Sequence, residues 1–343
     1  MLAAMKKEIR IRGDFFEGQS VDTVYFGGGT PSMLSGRELK DILTEANYTF
    51  EIATKAEITI EVNPEDVNEE SATQWLQTGF NRISLGIQSL EDPILKYLNR
   101  AHHRSTAINA LNLLRKAGFN EISVDLISGV PGLSNDQLQE NIHALLEFEP
   151  EHFSIYSLTI EPKTLLGHYQ KKGLLNIEED TLAEQYEISQ KLLIKQGYLQ
   201  YEVSNYAKSL SYVSKHNSAY WKMIPYLGIG PSAHSFKGNT RYKNTTNNAL
   251  YIQQINQHNS AGQEELLSDK DIFNDILITG LRTHWGVKVE CLKILLPETA
   301  QDSFMNTIEN LISSGDIVRE EERMRIPSEK FLVSDRILLK LLQ

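Results

Sequence analysis

Apolar residues rich in β-formers recur over the first 160 positions in short runs: Thr23–Phe26, Glu57–Val62, Arg82–Ile87, Glu121–Ile127 and His152–Leu158. Between them the apolar spacing changes to three and four, which predicts helices. The helix starts carry their own chemistry. Ser35-Gly36-Arg37-Glu38 reads as a capping box ahead of Leu39 and Ile42, Asn68 precedes Glu69 and Glu70, and Asp92-Pro93 puts proline in a first turn. Ser105 opens a helix through Ala117 that Gly118 closes, and Ser134 opens another with Leu138, Ile142, Leu145 and Leu146 at helical spacing. Strands that read as continuous apolar runs, alternating with helices, predict a parallel sheet covered by helices. Turn residues follow several strands at the same end: Gly27–Gly29, Asn63-Pro64, Gln88-Ser89, Ser128 to Gly132, and Glu161-Pro162. In a β/α barrel that end carries the active site. A doubly wound sheet shares these features, so periodicity leaves both open. The helical spacing of Leu2 to Ile11 has no strand before it, so a barrel here would want its opening strand.

Beyond Glu178 a long helix leads to Tyr201–Tyr206, then to an aromatic, turn-rich stretch from Tyr212 to Phe236. Arg241 to Glu265 is polar and rich in Asn and Gln and reads as helix plus linker. From Ser268 come three helices, a Ser314-Gly315 turn, short strands at Ile317–Arg319 and Met324–Ile326, and an amphipathic close at Val333–Leu342. This is the pattern of a winged-helix-like module. Its acidic and basic residues are about balanced, which favours packing or partner docking over DNA. The expected division is 1–205, 206–265 and 266–343.

Composition narrows the function classes. A chain of 343 residues, 41% hydrophobic and 23% charged, suits a barrel-sized unit plus a smaller one. With 45 acidic against 34 basic residues the net charge is −11, which argues against a general nucleic-acid binder. No apolar run is long enough to span a bilayer, and Met1 to Lys7 does not read as a signal peptide, so a cytoplasmic location is expected. A single cysteine, Cys291, permits neither an internal disulfide nor a cysteine cluster. Beside Leu292, Ile294 and Leu295 it reads as a small core residue.

The stretch with the most chemistry is Val24-Tyr25-Phe26-Gly27-Gly28-Gly29-Thr30-Pro31-Ser32. Glycines at a strand end let N–H and C=O groups face a ligand, and Pro31 keeps Thr30 extended. Neither a phosphate loop nor Gly-x-Gly-x-x-Gly fits. A tight turn is the competing reading.

Together with Ile60–Asp66 (IEVNPED), Arg82–Ser89 (RISLGIQS), Leu98–His102 (LNRAH), Ser123–Gly132 (SVDLISGVPG), Lys215–Trp221 (KHNSAYW) and Tyr226–His234 (YLGIGPSAH), this stretch resembles the coproporphyrinogen III oxidase-like branch of the radical S-adenosylmethionine superfamily. Within that branch, His216-Asn217-x-x-Tyr220-Trp221 resembles the signature of the HemW group of haem chaperones. The resemblance implies an α/β fold, a partial (β/α)6 barrel missing its first strand, with S-adenosylmethionine at its carboxyl end. It implies that Gly28, Gly29 and Thr30 lie along the methionine moiety and that Arg100 pairs with its carboxylate. Glu61, Gln88 and Asp125 would meet the amino group and ribose hydroxyls. His216 becomes the candidate haem-iron ligand, with Tyr220 and Trp221 as apolar walls. A hydrogen-bonded histidine under aromatic packing is the competing reading of His216. His102, His103 and His234 stand behind it.

The family begins with a strand and a C-x-x-x-C-x-x-C loop that holds a [4Fe–4S] cluster. The cluster is thus implied by resemblance only, because this sequence has neither the strand nor the loop. The expectation is an N-terminally truncated copy or a misplaced start. The function implied is haem uptake and transfer to acceptor proteins such as respiratory haem proteins, with membrane association and homodimerisation as further expectations. The alternatives are an oxygen-independent coproporphyrinogen III oxidase and an inactive fragment.

Overall fold

Successive side chains on a strand point to opposite faces, and the central strands here use the two faces for different purposes. The computed structural model describes residues 1–161, 165–172 and 178–343. Its main sheet holds seven described strands: β1 (Val21–Phe26), β2 (Ile52–Val62), β3 (Arg82–Gln88), β4 (Ile122–Ser128), β5 (His152–Ser157), β6 (Leu199–Gln200) and β7 (Asn205–Ala207). They run in the order β1-β2-β3-β4-β5-β7-β6, and the sheet curls into an open half-barrel. β2 to β5 pair in parallel, and β7 pairs antiparallel with both β5 and β6. The chain divides into two compact units: Tyr25–Leu34 with Ile58–Val213, and Met1–Val24 with Ser35–Glu57 and Ser214–Gln343.

In the first unit one face of the sheet is apolar: Ile83, Leu85 and Ile87 of β3, Val124 and Leu126 of β4, and Phe153 and Ile155 of β5 are all buried. Trp75, Leu114 and Ile142, from the helices Glu69–Thr78, Arg104–Ala117 and Asn135–Leu146, are buried with them. The other face is polar, with Glu61, Ser84, Ser123, Asp125, His152 and Ser154 at alternate positions. The expectation of continuously apolar strands is therefore corrected. Only one face is covered by helices, so only that face must be apolar. Most helix starts form as predicted; the exception is Ser105, which lies inside its helix, because Arg104–Ala117 begins after His103 without a side-chain cap. Ser35 with Glu38 and Ser134 with Gln137 form capping boxes, and Asn68 forms one with Ser71. Gly118 closes its helix in the left-handed region at φ 106°. Pro31 opens a short 3-10 turn directly after the glycines. The turn expected at Glu161-Pro162 lies partly outside the described residues.

In the second unit the helix Leu2–Ile11 forms as predicted. Its Glu8 is buried and accepts from the Gly230 N–H, Asn244 Nδ2 and the Tyr251 hydroxyl. Ala4 packs in a cluster with Tyr251, Ile255 and Ala261. Three antiparallel strands, β8 (His234–Lys237), β9 (Thr240–Asn244) and β10 (Gly262–Leu266), flank the helix Asn248–His258. The stretch read as helix plus linker thus holds two strands. They were illegible because β10 (GQEEL) is exposed along most of its length and carries no alternation. The remaining residues follow the predicted order of three helices and two strands, with one unpredicted strand after the first helix: Asp269–Gly280, β11 (Val287–Lys288), Val289–Lys293, Glu298–Ser313, β12 (Val318–Glu320) and β13 (Arg323–Arg325). Cys291 is exposed, which corrects its reading as a core residue. Leu292 takes the buried position on that short helix instead.

Candidate functional sites

The first site lies at the carboxyl ends of β1 to β4. A Cβ on Gly27 would sit 2.5 Å from Tyr25 Cε1 and 2.6 Å from Glu61 Oε1, so the position admits only glycine without displacement. A Cβ on Gly28 or Gly29 would meet no atom within 4 Å, and Gly28 has φ +77°. With Thr30 exposed beside them, this backbone is open to close approach by a ligand. Glu61 turns back over the glycines. Its Oε1 accepts from the Tyr25 hydroxyl at 2.7 Å and its Oε2 from the Gly28 N–H at 3.2 Å.

Strand register extends this polar face sideways. Glu61 pairs with Ser84, Ser84 with Ser123, and Ser123 with His152. Two residues on, Asp125 pairs with Ser154 and Ser154 with Asn205. Asp125 accepts from Ser84 at 2.8 Å and from Ser123 at 3.3 Å. Burial pushes its carboxyl up to about 6, against the serine hydroxyls that draw it down. His152 is held between Ser123 Oγ and the Tyr201 hydroxyl, both at 2.8 Å, and burial keeps it well below the usual imidazole value. Glu202 is 2% exposed and pushed up to about 7 by burial, and its Oε1 has no hydrogen-bond partner among the described residues. Sequence reading missed this His152–Glu202 half of the face. Its members come from β4, β5 and the β6–β7 turn, and only register brings them together.

Of the remaining expected residues, Gln88 ends β3 at φ 65°, beside a register shift between β3 and β4. A non-glycine residue held there marks local strain at the strand end. Arg100 donates from Nη1 to Asn63 Oδ1 at 3.4 Å, one residue past β2. His102 is buried with Nδ1 3.1 Å from Glu65 Oε2 and Nε2 3.0 Å from the Ile87 carbonyl, so both ring nitrogens are taken up in joining strand ends. His103 and His234 are exposed.

The second site is the helix Lys215–Trp221. Ser214 caps it by accepting from the Asn217 N–H. The buried Glu57 carboxylate accepts from the Lys215 N–H at 2.8 Å and the His216 N–H at 3.0 Å, fixing the first turn. His216 Nδ1 lies 3.5 Å from Thr23 Oγ1, and Nε2 lies 2.9 Å from the Tyr220 hydroxyl one turn on. The two rings meet edge to face at 5.0 Å, and Tyr220 meets Tyr226 likewise at 4.5 Å. Burial pushes the His216 imidazole down to about 4, which favours its neutral form at pH 7. Trp221 is half-buried.

A [4Fe–4S] cluster needs several thiolates. These 343 residues supply one cysteine. No group of three His, Cys, Asp or Glu among the described residues is placed to hold a metal. The donor set does not fit a cluster.

The profile of the Radical SAM superfamily matches residues 3–145. A heme chaperone HemW of Lactococcus lactis is 32% identical over 328 residues, covering 95% of this chain and 86% of that relative. A HemW of Bacillus subtilis is 31% identical, covering 92% and 84%. Among solved structures, the coproporphyrinogen III oxidase HemN of Escherichia coli superposes with a TM-score of 0.81 at 20% identity, over 99% of this chain and 82% of that one. That likeness carries the fold, including the half-barrel. Identity near one third along almost the whole length carries the closer relationship: the chain belongs to the HemW family of the radical SAM superfamily.

Proposed function

We propose that this chain is a haem chaperone that takes haem onto His216 and passes it to acceptor proteins. The observation that carries the reading is the placement of His216 on a short helix whose first turn is fixed by Glu57, with its ring edge to face against Tyr220. The exposed Tyr220 and half-buried Trp221 beside it offer flat apolar surface to a macrocycle. The name of the Lactococcus lactis relative supports the same reading.

The glycine end of β1 is the site we assign to S-adenosylmethionine. The open cradle at Gly28 and Gly29 supports the methionine moiety there, with Thr30 alongside. Arg100 would take the carboxylate, where a planar fork fits best. Glu61, Gln88 and Asp125 would take the amino group and ribose hydroxyls. Bound there, the sulfonium could supply methyl or adenosyl chemistry. The residues present do not fit a cluster, so no radical step is derived, and the coproporphyrinogen oxidase alternative has no separate observation in its favour.

We further propose the division 1–205, 206–265 and 266–343, with the winged-helix module as a surface for docking an acceptor protein or a second copy. No described helix is long and apolar enough to cross a membrane.

Titration of the purified chain with ferric haem tests the central reading. A saturable Soret shift is expected, and His216→Ala should weaken it by about tenfold or more, which is ~1.4 kcal/mol per decade. No saturable shift, or one unchanged in the variant, overturns it.

A further inference from the structure

An imidazole offers a metal one lone pair, and in His216 the nitrogen that faces Tyr220 is already engaged. The Tyr220 hydroxyl lies 2.9 Å from Nε2, while Nδ1 faces Thr23 Oγ1 at 3.5 Å. When Thr23 accepts from Nδ1–H, Nε2 carries the lone pair and the Tyr220 O–H donates into it. A metal approaching Nε2 must displace that hydroxyl. Tyr220 has the freedom to leave: it is 41% exposed, and its ring is held by edge contacts to His216 and Tyr226.

We propose that Tyr220 is a removable cap on the haem-ligating nitrogen of His216, closed in the unloaded protein and displaced when haem iron binds. This deepens the haem-chaperone reading and rests on it. The cap gives the carrier a means of release. The hydroxyl competes with iron for one lone pair, so each loss of haem is followed by re-formation of a hydrogen bond within the same helix. Other metals that seek a free imidazole meet the same competitor, whereas a macrocycle brings ring area against Tyr220 and Trp221 that offsets the lost bond. Glu57, which holds the Lys215 and His216 amides, keeps the backbone of the first turn in place while the side chain swings.

Tyr220→Phe removes the hydroxyl and keeps the ring. Two measurements are made on wild type, Tyr220→Phe and His216→Ala. The first is the rate of carbethoxylation at His216 by diethyl pyrocarbonate, followed by peptide mass spectrometry, which reads lone-pair availability without haem. The second is the association and dissociation of ferric haem, followed by stopped flow at the Soret band. Tyr220→Phe should speed carbethoxylation by about fivefold, the worth of one neutral hydrogen bond, and tighten haem by a similar factor through slower release. Unchanged carbethoxylation in Tyr220→Phe overturns the cap. Faster carbethoxylation with haem binding that is the same in wild type and His216→Ala supports the capped lone pair and overturns the haem assignment of His216 instead. Weaker haem binding in Tyr220→Phe overturns the cap as a competitor, because the hydroxyl would then be serving the bound state.

Discussion

Gly27→Ala isolates the crowding at the end of β1. The added methyl would lie 2.5 Å from Tyr25 Cε1 and 2.6 Å from Glu61 Oε1, so one of them must move. Moving Glu61 breaks its bond from the Tyr25 hydroxyl at 2.7 Å and loosens the one from the Gly28 N–H at 3.2 Å. A hydrogen bond to a charged group is worth about 1.5–3 kcal/mol. Moving the Tyr25 ring instead is overpacking, at about 1–3 kcal/mol. Either route predicts a loss of about 1–3 kcal/mol, and a melting temperature lower by about 1–4 °C for a chain of this size. Gly29→Ala is the internal control: its methyl meets nothing within 4 Å and its φ is not in the left-handed region, so stability should hold within about 0.5 kcal/mol. The two variants should exchange rank in ligand binding. Isothermal titration with S-adenosylmethionine should show Gly29→Ala weakened by about tenfold, since its methyl projects into the open cradle. Urea unfolding followed by circular dichroism reads the stability arm. Gly27→Ala as stable as wild type, or Gly29→Ala destabilised as much, would refute the packing argument. Undiminished binding in Gly29→Ala would sink the cofactor site alone.

Glu57→Ala strips the carboxylate from the Lys215 and His216 amides and should cost about 1–3 kcal/mol, seen as faster amide exchange confined to the Lys215–Trp221 helix. Exchange unchanged there would mean that Ser214 alone holds the first turn. Glu202 is raised from 4.5 to about 7, so its contribution to stability is whole below about pH 4.5 and is lost as pH rises through about 7. Glu202→Gln stays neutral, and its stability relative to wild type should therefore increase by about 3 kcal/mol between pH 4 and pH 8. A difference that is flat with pH would show that the carboxyl is not buried in the folded chain.

Local chemistry was legible from residue order. The capping box at Ser35, the helix start at Ser134 and the Gly118 helix stop depend on neighbours within a few positions, and all form as read. The glycine end of β1 and the His216 motif were likewise visible, because glycine runs and a His-Asn-x-x-Tyr-Trp spacing survive in one dimension. Tertiary structure decided the rest. Strand pairing sets Glu61, Ser84, Ser123 and His152 in one row from four separate segments, a relation of register that no single stretch encodes. Burial then shifts Asp125 and Glu202 upward and His216 downward, because desolvation depends on what packs around a group and not on its sequence neighbours. The same holds for Glu57, whose contact with the His216 amide spans 159 positions and exists only once the chain has folded.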